Sequence, residues 1–189
     1  MNAGIGHNNG PSMDRGVSYR RHCWTKARKQ LLPSMPIEVL RGRVRRAREI
    51  GLDYKTYATV RATTGRDIVA FLFSTNALRL FREAQTLEQV RAEKLAGVIA
   101  CERRALTIAP LTPDMVLAGQ GHVLDSAAAA PGVHNVWSKA VIVMDAARGA
   151  GLPADAVLMV GDTTLEREWS QAGRLAGYLD AARFFAPAP

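Results

Sequence analysis

The run AVLMVGD (156–162) constrains this chain more than any other segment. It is short, apolar and β-branched, and it stops at a glycine and an acid. That is the pattern of a buried strand. An amphipathic helix follows it over Thr163–Gly177. A second apolar run, DIVAFLFST (67–75), has the same character, although periodicity alone leaves a buried helix open there. Residues 86–96 and 137–149 have helical composition, whereas GVIAC (97–101) and ALTIA (105–109) fit either two strands or one continuous helix. Asn76 is placed to cap a helix running through Phe81–Ala84, and residues 110–135, rich in Pro and Gly, read as loop. The tail FFAPAP ends all regular structure. Strands separated by helices predict an α/β fold: a small, mainly parallel sheet with flanking helices.

That sheet occupies residues 66–189, and a basic helical segment over 18–65 precedes it. Residues 1–17 are dominated by Gly, Asn, Pro and Ser and are expected to be a disordered lead. Residues 18–32 form a first basic helix, with Trp24, Ala27 and Leu31 spaced to face the body. A second helix runs from Ile37 to Ile50 on an apolar stripe of Ile37, Leu40, Val44 and Ala47. Gly51 stops it. Asp53 caps a third helix from Tyr54 to about Thr63, which Gly65 closes.

Charge separates the two parts. Of the 189 residues, 25 are Lys or Arg and 17 are Asp or Glu, for a net charge of +8. Residues 1–60 hold 12 of the cations and only four acids, while residues 61–189 hold 13 of each sign. The whole excess therefore lies in the N-terminal third, which points to an anionic partner, nucleic acid foremost. A solvated Arg-rich helix that merely aids solubility fits the same count. An interaction module that docks an acidic protein partner also fits it. No apolar run is long enough to span a bilayer, and the opening MNAGIGHNNG lacks the basic-then-apolar order of a signal peptide. No membrane association is expected. Cys23 and Cys101 make no disulfide framework, and a reducing, cytoplasmic setting is expected. The four histidines show no metal-ligand spacing, so no metal or other cofactor is expected.

Two motifs carry resemblances. RVRRAREIGLDYKTYATVRATTG (43–65) places small Ala47 four residues before Gly51, with Ile50, Leu52, Tyr57 and Val60 apolar around them. It resembles the helix-turn-helix of DNA-binding proteins. Arg46 and the large Tyr57 depart from that family's usual side chains. The resemblance implies that Lys55, Thr56 and Thr59 read bases or phosphates, with Arg61 on the same exposed surface. It implies backbone contacts from Arg43, Arg45, Arg46 and Arg48, beside Arg41. It further implies a homodimer, since one copy binds a site weakly. The same residues also fit an ordinary αα-hairpin docked on the sheet.

The second motif is KAVIVMDAARGAGLPADAVLMVGDTTLE (139–166). A lysine precedes a helix, and about twenty residues later a strand ends in Gly-Asp with another acid nearby. It resembles the closing motifs of the haloacid-dehalogenase-like phosphatases. The resemblance implies that Lys139 neutralises phosphate charge and that Asp162, with Glu166, holds Mg²⁺. The family's two nucleophile-strand aspartates correspond here to Phe73 and Thr75 in AFLFSTNAL. Neither forms an aspartyl phosphate, which leaves as alternatives a phosphate-handling hydrolase or a catalytically dead relative of that family, or a likeness that any α/β sheet would show. Read without the family, Asp162 is a helix N-cap, and Asp145 lies on a helix surface. No GxSxG, GxGxxG or phosphate-cradling loop occurs, and no catalytic residue is assigned.

Overall fold

The computed structural model describes residues 22–24, 26 and 35–186. The expected lead over 1–17 lies outside the described residues, as do Ala27 and Leu31. The chain divides into two units, Met1–Leu40 and Arg41–Pro189. In the first, residues 22–24 and 26 are helical, and Trp24 is 71% exposed rather than buried. The second unit carries the sheet, and residues 41–65 belong with it.

The elements in order are α1 (Ile37–Glu49), α2 (Tyr54–Thr64), β1 (Ala70–Ser74), α3 (Gln89–Ala96), β2 (Glu102–Thr107), α4 (Pro113–Gln120), β3 (Ser126–Ala129), α5 (Trp137–Arg148), β4 (Val157–Gly161), α6 (Thr164–Ala172), β5 (Gly177–Asp180) and α7 (Ala181–Phe184). The five strands make one sheet in the order β3-β2-β1-β4-β5. Every neighbouring pair is parallel. The expected α/β fold with flanking helices is therefore the observed one, and both apolar runs are its central strands.

The sheet is covered on both faces, which explains why its central strands are continuously apolar. Side chains alternate along β1 and β4. Phe71, Phe73, Leu158 and Val160 point into one core, packed with Ile50, Tyr57, Leu95, Val116 and Phe184. Ala70, Leu72, Val157 and Met159 point into the other, against Met144 of α5 and Trp169 of α6. The split follows from connectivity. From β1 the chain winds outward through β2 to β3, then returns past β1 to β4 and β5. Right-handed crossovers in opposite directions place their helices on opposite faces.

Several local expectations are corrected. Residues 76–84 form turns, not a helix: Ser74 Oγ accepts the Ala77 N–H at 3.0 Å, and Arg79 adopts φ 56°. GVIAC is not a strand; β2 begins at Glu102. The 110–135 stretch carries α4 and the edge strand β3. Thr112 caps α4, accepting the Met115 N–H at 3.4 Å, and Pro113 opens the helix. The helix expected over 163–177 ends at Ala172, and β5 follows. FFAPAP does not lie outside regular structure. Phe184 ends α7, and both Phe184 and Phe185 are buried, with the Phe184 ring 5.3 Å from Phe71 and 5.2 Å from Phe73.

Candidate functional site

The helix pair has the ends its residues dictate. After α1, Gly51 turns at φ 72°. Its N–H donates to the Arg48 carbonyl at 3.0 Å, and the Leu52 N–H donates to Ala47 at 2.9 Å. This is a Schellman closure, which needs a left-handed residue at that point. Two residues on, the Asp53 carboxylate accepts the Thr56 N–H at 2.9 Å and also the Thr56 hydroxyl. Burial pushes the Asp53 carboxyl up. The Thr56 contacts and Arg183 outweigh it, and the group titrates below the usual aspartate range. Gly65 ends α2 at φ 73°. Ala47, Ile50, Leu52 and Tyr57 are buried at the junction.

The arginines then part. Arg46 turns inward with a side chain 19% exposed. Its Nε donates to Asp67 Oδ2 at 3.0 Å, and its Nη2 donates to the carbonyls of Ile68 at 2.9 Å and Ala100 at 3.1 Å. Asp67 also accepts the Tyr57 hydroxyl at 2.9 Å, and Arg61 reaches that hydroxyl at 3.1 Å. Burial, with Asp67 next, pushes the Tyr57 phenol up. Arg46, Arg61, Tyr57 and Asp67 thus brace α1 and α2 to the approach to β1. Arg41, Arg45 and Arg48 are exposed at i, i+4 and i+7, one face of α1. The Arg45 side chain is 80% exposed, 3.8 Å from Glu49. Arg43 is half-buried and Lys55 is exposed. Thr56 is buried and takes a further hydrogen bond from Arg183. Thr59 is exposed, its hydroxyl donating to the Lys55 carbonyl at 2.8 Å.

The strand order reverses between β1 and β4. In open parallel sheets the crevice beyond such a point is where ligands bind. Here one acid is fully engaged within the fold. Glu166 is 0% exposed. It accepts the Asp162 N–H at 2.6 Å, the Thr163 N–H at 2.8 Å and the Asn76 amide at 3.0 Å. Thr163 in turn accepts the Glu166 N–H at 3.3 Å, completing a capping box. The N-cap of α6 is therefore Thr163 and not Asp162, which is exposed. Lys139, in the first turn of α5, is exposed too, while Phe73 and Thr75 are buried. Asp145 is exposed and pairs with Arg148, as expected of a helix surface.

No family model, curated protein or solved structure matches this chain. Its chemistry rests on its own geometry. Among the described residues, no group of three or more His, Cys, Asp and Glu is arranged to hold a metal ion. No described helix is long and apolar enough to cross a membrane. Cys23 is exposed and Cys101 buried, both as free thiols, and burial pushes the Cys101 thiol up to about 12. Sequence reasoning missed Asp67 and Arg183. Their partners lie 21 and 127 residues away, and no local pattern marks such pairs.

Proposed function

We propose that the protein binds nucleic acid, chiefly through the phosphate backbone, along the exposed face of α1. The observation that carries this reading is the sorting of the arginines. Arg46 is committed inside the fold, while Arg41, Arg45 and Arg48 share one exposed helix face. A row of guanidiniums on one face suits a line of phosphates. The turn at Gly51 joins α1 to α2, and Lys55 and Thr59 are exposed in the first half of α2. Thr56 is occupied internally, so base reading falls to those two residues, and modest sequence preference follows. Higher specificity would come from two copies on adjacent half-sites.

The test is a salt titration of fluorescence anisotropy with a 20-base-pair duplex and a single-stranded oligonucleotide. Three phosphate contacts give a slope of log K against log salt of roughly −3. Arg41→Ala combined with Arg45→Ala should remove about two units of that slope. Absence of binding at low salt, or an unchanged slope in the double variant, rejects the reading. In that case an acidic protein partner for the same face becomes the better account.

A second reading has one observation in its favour. Asp162 directly follows β4, where the strand order reverses, and Lys139 lies in the first turn of α5, the helix that leads into β4. This supports binding of a phosphate-bearing ligand there, as in a relative of the haloacid-dehalogenase-like proteins that has lost its nucleophile. Glu166 is saturated by three donors and is poorly placed to ligate Mg²⁺. Turnover of an aryl phosphate with Mg²⁺ is expected to stay at background. Activity above background that disappears in Asp162→Asn would instead establish an enzyme.

A further inference from the structure

A cavity of about 620 Å³ opens between the α1–α2 turn, α3 and the C-terminal segment. That size is within the range of small-molecule sites. Its walls include Val44, Ala47, Leu52, Leu179 and Phe184. Of these, Ala47, Leu52, Leu179 and Phe184 are among the buried core residues, so the apolar part is recessed, not spread over a flat face.

Arg48, Lys94 and Arg183 also line the cavity, against a single acid, Asp53. That acid is already engaged by the α2 N-terminus and lies 3.5 Å from Arg183. Lys94 Nζ stands 5.7 Å from the centre of the Phe184 ring, which holds an ammonium at the boundary between the apolar wall and the opening. Among the described residues, the Arg48 side chain makes no hydrogen bond or ion pair. An apolar pocket with a few convergent polar groups is the usual form of a ligand site. Here the charged groups not engaged by a carboxylate, Arg48 and Lys94, are both cations, and the Tyr54 hydroxyl lies among the lining as a neutral donor.

We propose that this cavity binds a small organic anion, an apolar body ending in a carboxylate-type group held by Lys94 and Arg48. The apolar body lies against Leu52, Leu179 and Phe184, and the anion faces the two cations at the opening. The site goes beyond nucleic-acid binding and does not depend on it.

Isothermal titration of the full chain with decanoate, below its micellar concentration, tests the proposal. Decylammonium, of equal chain length and opposite charge, is the control probe. Saturable one-to-one binding of decanoate is expected, with none of decylammonium. Lys94→Glu should weaken decanoate binding about tenfold or more, the factor that corresponds to about 1.4 kcal/mol. Lys94→Ala should weaken it less, and Arg45→Ala, outside the cavity, should leave it unchanged. Circular dichroism checks that each variant is folded, and half-buried Lys94 makes both substitutions mild. No saturable decanoate binding overturns the proposal. So does equal binding of decylammonium, indifference to both Lys94 variants, or an equal loss in Arg45→Ala. Loss of oligonucleotide binding with decanoate binding intact would reject the nucleic-acid reading alone.

Discussion

Arg45 and Arg46 are neighbours in sequence and opposites in physics. Arg45 stands in water, 80% exposed, with one distant carboxylate. Arg46 satisfies Asp67 and two backbone carbonyls from separate parts of the chain. Its guanidinium fork reaches all three at once, which a lysine cannot reproduce. Arg46→Ala is expected to destabilise the protein by about 2–3 kcal/mol, because carbonyls and a carboxylate lose their donor. Arg45→Ala should stay within about 0.5 kcal/mol of the parent. Urea denaturation of the two variants checks the contrast. Equal costs would mean that Arg46 is not a brace. Charge does not separate these residues, since every Arg in RVRRARE is equally charged; only the departure of Arg46 from the side chain usual in a helix-turn-helix set it apart. The inward choice depends on Asp67 standing where α1 ends up, which local sequence does not encode.

At the level of elements, ends were more legible than middles. Gly51, Asp53 and Gly65 announced the α1–α2 junction because left-handed turns and carboxylate caps are local chemistry. The start of α6 was legible in the same way, yet its cap was assigned one residue early. Thr163 with Glu166 three residues later is a capping box that engages one oxygen of an acid that resemblance had assigned to Mg²⁺, and the Asn76 amide engages the other. Thr163→Ala should cost about 1 kcal/mol through the lost cap. Glu166→Ala should cost more, since it leaves two backbone N–H groups and the Asn76 amide without their acceptor. Thermal unfolding of both variants measures this, and a Glu166→Ala no worse than Thr163→Ala would contradict the assignment. The elements that escaped notice were the four-residue strands β3 and β5 and the short helices α4 and α7. SAAA in β3 has the composition of a helix, and only its pairing with β2 makes it a strand.

At the scale of the whole molecule, acid stability follows from two carboxylates. Asp125 is held below the usual range by the Arg103 side chain, at 2.7 and 3.1 Å, acting against burial. Asp53 is depressed as well. Each has a folded pKa below its ordinary 3.8. Their contribution is therefore complete above that value and is lost as pH falls through the depressed folded values. The melting temperature should vary little with these groups above about pH 5 and fall below about pH 4. Asp125→Asn should flatten part of that fall. An unchanged acid limb in Asp125→Asn would show that the pair with Arg103, which ties β2 to the entry of β3, contributes nothing there.

By itself the sequence determined the class of fold, the two central strands, most helix ends and the location of the charge excess. Each of these is a local property, set by hydrophobic period, backbone preference or composition. The tertiary structure alone decided the strand order and the pairing of the two edge strands. It also decided which arginines face solvent, and it set Lys94 beside Phe184, 90 residues apart, on one cavity. Those outcomes depend on which distant segments meet, and what each side chain does depends on the partner it finds there.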